Sequence, residues 1–152
     1  MLLKNMMQAK HKVIISVKPS TPINEALDML TNNNIGCLPV LDENGKITGI
    51  ISERDILLKI NEAVGDFPGL TVADIMTTKV IMGSPDDDLS KITEIMEDNK
   101  IRHLPIVREE KLIGLISLWE IYKTRLQNME AENRHLANML FQRDKTGEYD
   151  FH

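Results

Sequence analysis

The apolar positions of this chain follow two alternating rhythms, and the alternation occurs twice. Val13 to Val17 form a short apolar run of strand character. Ile23, Ala26, Leu27 and Leu30 then recur at helical spacing. Thr21 before Pro22 predicts where that helix starts, because proline suits a first turn whose N–H groups lack partners. Cys37 to Leu41 and Lys46 to Ile51 predict a hairpin around Asp42-Glu43-Asn44-Gly45, where Asn-Gly supplies the positive φ of a tight turn. A second helix is expected from Ser52, a favoured N-cap. The succession returns with Val80 to Met82, with a helix opened by Asp86-Asp87-Asp88 and carrying Leu89, Ile92, Ile95 and Met96, and with another opened by Ser117. Its turn, Arg108-Glu109-Glu110, has no glycine and predicts a different hairpin geometry.

The two successions align residue by residue. Ile35-Gly36-Cys37-Leu38-Pro39-Val40 recurs as Ile101-Arg102-His103-Leu104-Pro105-Ile106, an offset of 66 (101 − 35). The same offset pairs Ile15 with Ile81, Pro19 with Pro85, and Asn33 with Asn99. One residue is lost in the second turn, after which Lys46 pairs with Lys111, Gly49 with Gly114, Ser52 with Ser117, and Ile56 with Ile121. A duplication on this scale dictates the architecture.

The element order, the doubled Leu-Pro-Val/Ile strand and the motif Gly49-Ile50-Ile51-Ser52-Glu53-Arg54-Asp55 resemble the CBS domain, named for cystathionine β-synthase, which occurs in tandem pairs. The resemblance implies an α+β fold of two β-α-β-β-α repeats related by pseudo-twofold symmetry. The expected division is repeat 1 over residues 3–60, a connecting loop over 61–70, repeat 2 over 71–123, a helical extension over 124–143 and a flexible tail over 144–152.

Ser52 and Asp55 stand three apart at a helix start, on one face and beside unpartnered N–H groups. Two readings fit. Ser52 caps the helix while Asp55 complements its dipole; or the carboxylate accepts from vicinal hydroxyls, as ribose offers, while Ser52 and backbone amides donate to phosphate. The resemblance implies the second, with a nucleotide site made of Ile50, Ser52, Arg54, Asp55, Thr78, Ile81, Arg102 and His103. In it Val80 to Met82 present backbone groups to adenine, and Ile50 and Ile81 sandwich the ring. Arg102 suits phosphate because its planar fork binds two oxygens and stays charged. The plainer alternative is an exposed arginine paired with a carboxylate, and His103 tucked at a strand edge. The first-copy counterparts, Gly36 and Cys37, carry no charge but leave room.

The second copy departs from this pattern in Ser117-Leu118-Trp119-Glu120. Ser117 and Glu120 are expected to form a degenerate second site, with Lys10 and Lys12 nearby and Trp119 buried in packing. The chemistry is expected to be one-sided.

Composition excludes several classes. Net charge is −5 and no run of five or more basic residues exists, which removes the usual footprint of nucleic-acid binding. Met1 to Lys12 is neither a signal peptide nor a span, and no later stretch approaches the ~20 apolar residues that a span needs. The single Cys37 fits a reducing cytoplasm. No catalytic triad, phosphate loop or glycine-rich fingerprint is present, so no enzyme and no required cofactor are expected. A metal site from Cys37, His103 and His11 lacks a closely spaced ligand pair. The many methionines are expected as core filler.

After Glu120 the chain runs to Lys145 without Pro or Gly. Tyr122, Leu126, Met129, Asn133, Leu136 and Leu140 hold a and d places of a heptad, and an Asn at a favours parallel, in-register dimers. Alternatively the helix lies along its own domain with Asn133 exposed. The expected function is a cytoplasmic regulatory module that binds AMP, ADP, ATP or NAD between its repeats, forms a homodimer and acts on an effector protein. S-adenosylmethionine is a phosphate-free option. The competing expectation is a structural dimerisation or docking module with a vestigial cleft.

Overall fold

The computed structural model describes residues 1–7, 14–62 and 69–146, with side chains through residue 140. Its elements are α1 (Leu3–Met7), α2 (Ile23–Asn32), β1 (Cys37–Leu41), β2 (Ile47–Ser52), α3 (Glu53–Glu62), α4 (Val72–Ile75), α5 (Leu89–Asp98), β3 (His103–Arg108), β4 (Lys111–Ser117) and α6 (Leu118–Thr146). β1 pairs antiparallel with β2, and β3 with β4, in matching registers that oppose Cys37 to Ser52 and His103 to Ser117.

Among the described residues, which exclude Val13, the leading strands shrink to single bridges. Val17 pairs in parallel with Val40, and Gly83 with Ile106. The cause lies in the Leu-Pro motif. Val17 donates to the Pro39 carbonyl at 3.0 Å and accepts from Leu41 at 2.9 Å; one step earlier the ladder needs an N–H from Pro39, which has none. Pro105 ends the second ladder in the same way at Gly83, one residue beyond the expected run. The Ile81 N–H and carbonyl are thereby left without a backbone partner among the described residues.

The turns differ as their sequences predict. Gly45 adopts φ 79°, and the Asp42 carboxylate accepts from the amides of Asn44 and Lys46 at 2.9 Å each. The second turn places Glu109 and Glu110 at φ 50° and 65°, a two-residue reversal made without glycine. α2 begins one residue later than expected. Pro22 is its N-cap, and Thr21 Oγ1 accepts from the Lys18 amide at 3.0 Å instead of capping the helix. Asp88 caps α5 by accepting from the Ser90 amide.

Two apolar cores form, each containing a helix from the other half of the chain. Leu3 and Met6 of α1 pack with Leu89, Ile92, Leu104, Ile106 and Ile116. Val72 of α4 packs with Ile23, Leu30, Leu38, Val40 and Ile51. Backbone bonds fix both exchanges: Leu3 donates to Asp87 at 3.0 Å, and Val72 to Thr21 at 2.8 Å. Leu38 and Leu104 are fully or almost fully buried, each burial stabilising by about 1.5–3 kcal/mol. Close approach requires Gly49, where a Cβ would stand 2.7 Å from Met76 Sδ and 3.0 Å from the Thr77 carbonyl oxygen; at Gly114 a Cβ would collide only with the mobile tip of Met7.

α6 leaves the body of the protein. Tyr122 donates to Glu97 at 2.5 Å and Arg125 to Ser90 at 3.3 Å, tying its first turns to α5. From Leu126 to Leu140 every residue is exposed, and helix continues through Asp144 to Thr146. Trp119 corrects the expectation of a packed indole. It is 73% exposed, because Ile121 carries the buried face of that turn. Met82, Met129 and Met139 are exposed too, so only some methionines fill the core. No helix among the described residues is long and apolar enough to cross a membrane.

Candidate functional site

Each repeat builds the same small platform where its hairpin passes into a helix. The Glu53 amide donates to the Gly36 carbonyl at 3.0 Å, and the Leu118 amide to the Arg102 carbonyl at 2.8 Å. The residue two places before each Leu-Pro is thus clamped to the helix that follows the opposing strand. In the first repeat the Ser52 amide donates to Asp55 Oδ2 and the Asp55 amide to Ser52 Oγ, which is a capping box. The helix-cap reading is therefore correct as structure. It leaves Asp55 Oδ1 without a hydrogen bond from any described residue, and the Ser52 hydroxyl proton free to donate. In the second repeat the Glu120 amide donates to Ser117 Oγ at 3.1 Å.

Two cavities lie beside these platforms, and each takes its walls from both repeats. The larger, about 450 Å³, brings together Ile50, Ser52, Arg54, Asp55, Ile81, Arg102 and His103. Its volume falls within the range of small-molecule sites. Thr78 is exposed and outside this wall; Thr77 and Lys79 line it. Thr77 is held there by two backbone bonds with Ile50, at 3.0 and 2.9 Å. Ile50 and Ile81 are half-buried, as are Ser52 and Asp55. The cations Arg54, Lys79, Lys100 and Arg102 form an exposed rim. Lys79 and Lys100 escaped the sequence reading. The available signal was the repeat itself, which sets Lys100 opposite Asn34.

The second cavity, about 330 Å³, contains Glu120 but not Ser117 or Trp119. Its described wall is chiefly apolar, with Met6, Met7, Ile15, Ile113 and Leu115, and holds no Lys or Arg. Lys10, Lys12 and His11 lie outside the described residues. The cavities meet at Gly36, Cys37 and His103, which line both. A Cβ on Gly36 would stand 3.6 Å from the His103 ring, an ordinary van der Waals contact, so the two residues lie side by side without glycine being required.

Electrostatics at this junction follow burial. The Cys37 thiol is pushed up to about 12 by burial and then by the Asp55 carboxylate, so it carries no thiolate near neutrality. His103 is lowered by burial; Glu120 pulls it partly back, and Arg102 adds to the lowering. The imidazole is neutral, able to donate from one nitrogen and accept at the other. Among the described residues no three His, Cys, Asp or Glu side chains group to hold a metal ion.

The arrangement suits a flat, partly apolar ligand with hydroxyls and anionic groups. Two isoleucines present flat apolar surface, and the unclaimed Ile81 backbone offers one donor and one acceptor at the cavity edge. Asp55 Oδ1 is an acceptor of the kind that hydroxyls need, and the cationic rim is of the sign that complements negative charge.

A model of the CBS domain family matches residues 8–62 and 72–126. The CBS domain-containing protein YhcV of Bacillus subtilis is 30% identical over 129 residues, covering 85% of this chain and 90% of its own. The crystal structure of CBSX2 in complex with AMP is similar with a TM-score of 0.68 and 28% identity, over 76% of this chain and 90% of that one. The CBS domain pair of MJ0100, in complex with 5'-methylthioadenosine and S-adenosyl-L-methionine, has a TM-score of 0.70 and 28% identity, over 86% and 98% of the two chains.

Proposed function

Because the chain belongs to the CBS domain family, we propose that it is a regulatory module, without catalysis of its own, that binds an adenine nucleotide in the Asp55 cavity. The single observation that carries this is the convergence of Ile50, Ser52, Arg54, Asp55, Ile81, Arg102 and His103, from both repeats, on one cavity of about 450 Å³. Asp55 Oδ1 takes the ribose hydroxyls, Ile50 and Ile81 hold adenine, and the Ile81 backbone reads its edge. Arg102 and Arg54 meet phosphate, with neutral His103 as a further donor. AMP, ADP, ATP and NAD all present these groups. The Glu120 cavity is the degenerate partner, occupied weakly or not at all. AMP bound to CBSX2, and methylthioadenosine and S-adenosylmethionine bound to MJ0100, support an adenosine-type ligand.

The distal half of α6 favours an accompanying homodimer. Leu126, Met129, Leu136 and Leu140 are 57, 60, 57 and 49% exposed along one heptad face. Most helical stability in proteins comes from packing of an amphipathic face, and the described side chains from Leu126 to Leu140 are all exposed. Arg125 and Glu130 fall at g and e, the pair that attract across a parallel, in-register coil. Ligand-dependent changes would then pass to an effector protein, in the cytoplasm, through the dimer. If the cleft were vestigial, this helix alone would be the functional surface.

Calorimetry with AMP, ADP, ATP and NAD tests the reading, with native mass spectrometry for any co-purified ligand. Binding that is lost in Asp55→Ala is expected. Binding unchanged in that variant, or no binding of any adenine nucleotide, overturns it.

A further inference from the structure

α3 and α6 open alike, each with a serine hydroxyl that accepts from an amide three residues on. They then diverge: α3 ends at Glu62, while α6 runs on to Thr146. The residue two places after each serine diverges with them. Arg54 lines the larger cavity, whereas Trp119, its counterpart, lines neither cavity. The Trp119 indole is 73% exposed and points away from the core that Ile121 enters, which leaves a large apolar ring in water.

Trp119 is in phase with the apolar stripe of its helix. From Trp119 the steps to Tyr122, Leu126, Met129, Leu136 and Leu140 are 3, 4, 3, 7 and 4. All six side chains are between 43 and 73% exposed. Asn133 fills the place that the step of 7 passes over. Trp119 therefore holds an a place one heptad before Leu126 and supplies the layer that Tyr122, at d, otherwise lacks. With it the stripe reaches three a/d pairs, about the shortest run that sustains a coil.

The polar positions decide what covers this stripe. Lys123, Arg125 and Arg134 are interspersed with Glu120, Glu130 and Glu132. A helix that lies on a membrane carries mainly Lys and Arg on its polar face, so this mixed face does not match one. A second copy of the same helix does match. Arg125 at g and Glu130 at e attract twice, once on each side of a twofold axis, and Asn133 meets its own copy across that axis.

We infer that Trp119 is the root of an interface between two copies of this chain, where the two indoles meet across the twofold axis of a parallel, in-register pair. This inference rests on the reading of α6 as a homodimer helix, and it brings that interface from the distal helix up to the repeats. The neighbouring Leu118 amide donates to the Arg102 carbonyl at 2.8 Å, so the backbone beside the indole is tied to a residue of the larger cavity.

Trp119 is the single tryptophan of the chain, so its emission reports this place alone. The full chain is diluted from dimer to monomer and followed by sedimentation and fluorescence. Emission at shorter wavelength, with weaker quenching by acrylamide, is expected in the dimer. Trp119→Ala is expected to weaken association at least about tenfold, as loss of a tryptophan anchor does. The circular dichroism of the dilute monomer is expected to be unchanged, since Trp119 belongs to neither core. Trp119→Cys is expected to give a disulfide-linked dimer with glutathione disulfide, because a parallel register sets the two positions face to face; Cys37 is buried. Three results overturn this inference and leave the homodimer reading of the distal helix standing: a dimer whose emission matches the monomer's, Trp119→Ala associating within about twofold of the parent, or a Trp119→Cys dimer that oxidation does not cross-link. A parent chain that stays monomeric at every concentration overturns both.

Discussion

The Ser52 amide donates to Asp55 Oδ2 at 3.0 Å while the Asp55 amide donates to Ser52 Oγ at 3.1 Å, so each residue completes the other's hydrogen bonding at the start of α3. One carboxylate therefore serves the helix with one oxygen and faces a ligand with the other. The two roles separate by substitution. Asp55→Asn keeps an acceptor for the Ser52 amide and is expected to change stability by less than about 0.5 kcal/mol, whereas Asp55→Ala loses about 1 kcal/mol. Both are expected to weaken nucleotide binding at least about tenfold, since a charged acceptor is lost. Urea midpoints and calorimetry on the pair check this; a stable Asp55→Asn with parental affinity removes the ribose assignment.

The two glycines beneath the hairpins predict unequal costs. A Cβ on Gly49 meets the Thr77 carbonyl oxygen at 3.0 Å as well as the Met76 thioether, while on Gly114 the close contact is the mobile tip of Met7. Gly49→Ala is expected to cost about 1–3 kcal/mol and to disturb the Thr77–Ile50 pairing at the cavity edge. Gly114→Ala is expected to cost less, because Met7 can swing aside. Equal losses in urea denaturation would contradict the difference.

Burial lowers the His103 pKa below its ordinary 6.5. As pH falls the unfolded chain binds this proton first, so the residue's contribution is complete above pH 6.5 and is lost as pH drops through the folded value. Urea midpoints are expected to fall from neutral pH into that window more steeply for the parent than for His103→Gln. Parallel curves for the two proteins would show that His103 titrates as in the unfolded chain.

The distal part of α6 predicts an assembly phenotype. Truncation after Gln127 removes Met129, Leu136 and Leu140 and is expected to turn dimer into monomer in sedimentation experiments, with both cores intact by circular dichroism. Asn133→Leu is expected to tighten association while loosening its single parallel register, as replacement of a polar a residue does. A truncated chain that still sediments as a dimer would move the interface to another surface.

Much of this was legible in the sequence, for identifiable reasons. The hairpins and their helices were readable because alternation, turn residues and caps act locally, and because the second copy repeated each signal. Seven of the eight residues assigned to the nucleotide site line one cavity; Thr78 does not, because the backbone pairing of Thr77 with Ile50 fixes which neighbour faces inward. The leading strands were over-read: Val13 to Val17 is apolar enough for a strand, but Pro39 withholds the N–H that a second bridge requires. Trp119 was misjudged by residue type, whereas helix phase decides exposure, and Ile121 at 0% shows which face is inward. Lys79 and Lys100 read as ordinary solvated charges, since only the folded chain brings them to the rim with Arg54 and Arg102. The exchange of α1 and α4 left almost no trace. Met7 and Met76 match at an offset of 69 (76 − 7), out of step with the 66 that aligns the strands.

That exchange orders the birth of the molecule on the ribosome. The first core lacks one of its helices until Val72 to Ile75 have been synthesised, by which time the whole first hairpin has been made. α1 must wait longer, because Leu3 and Met6 find their packing partners only once Leu89 to Ile116 exist. α1 is therefore made before its packing partners and is among the last of the described helices to dock. Its arrival closes the chain on itself, and the cavities between the repeats are finished as the two halves fasten together.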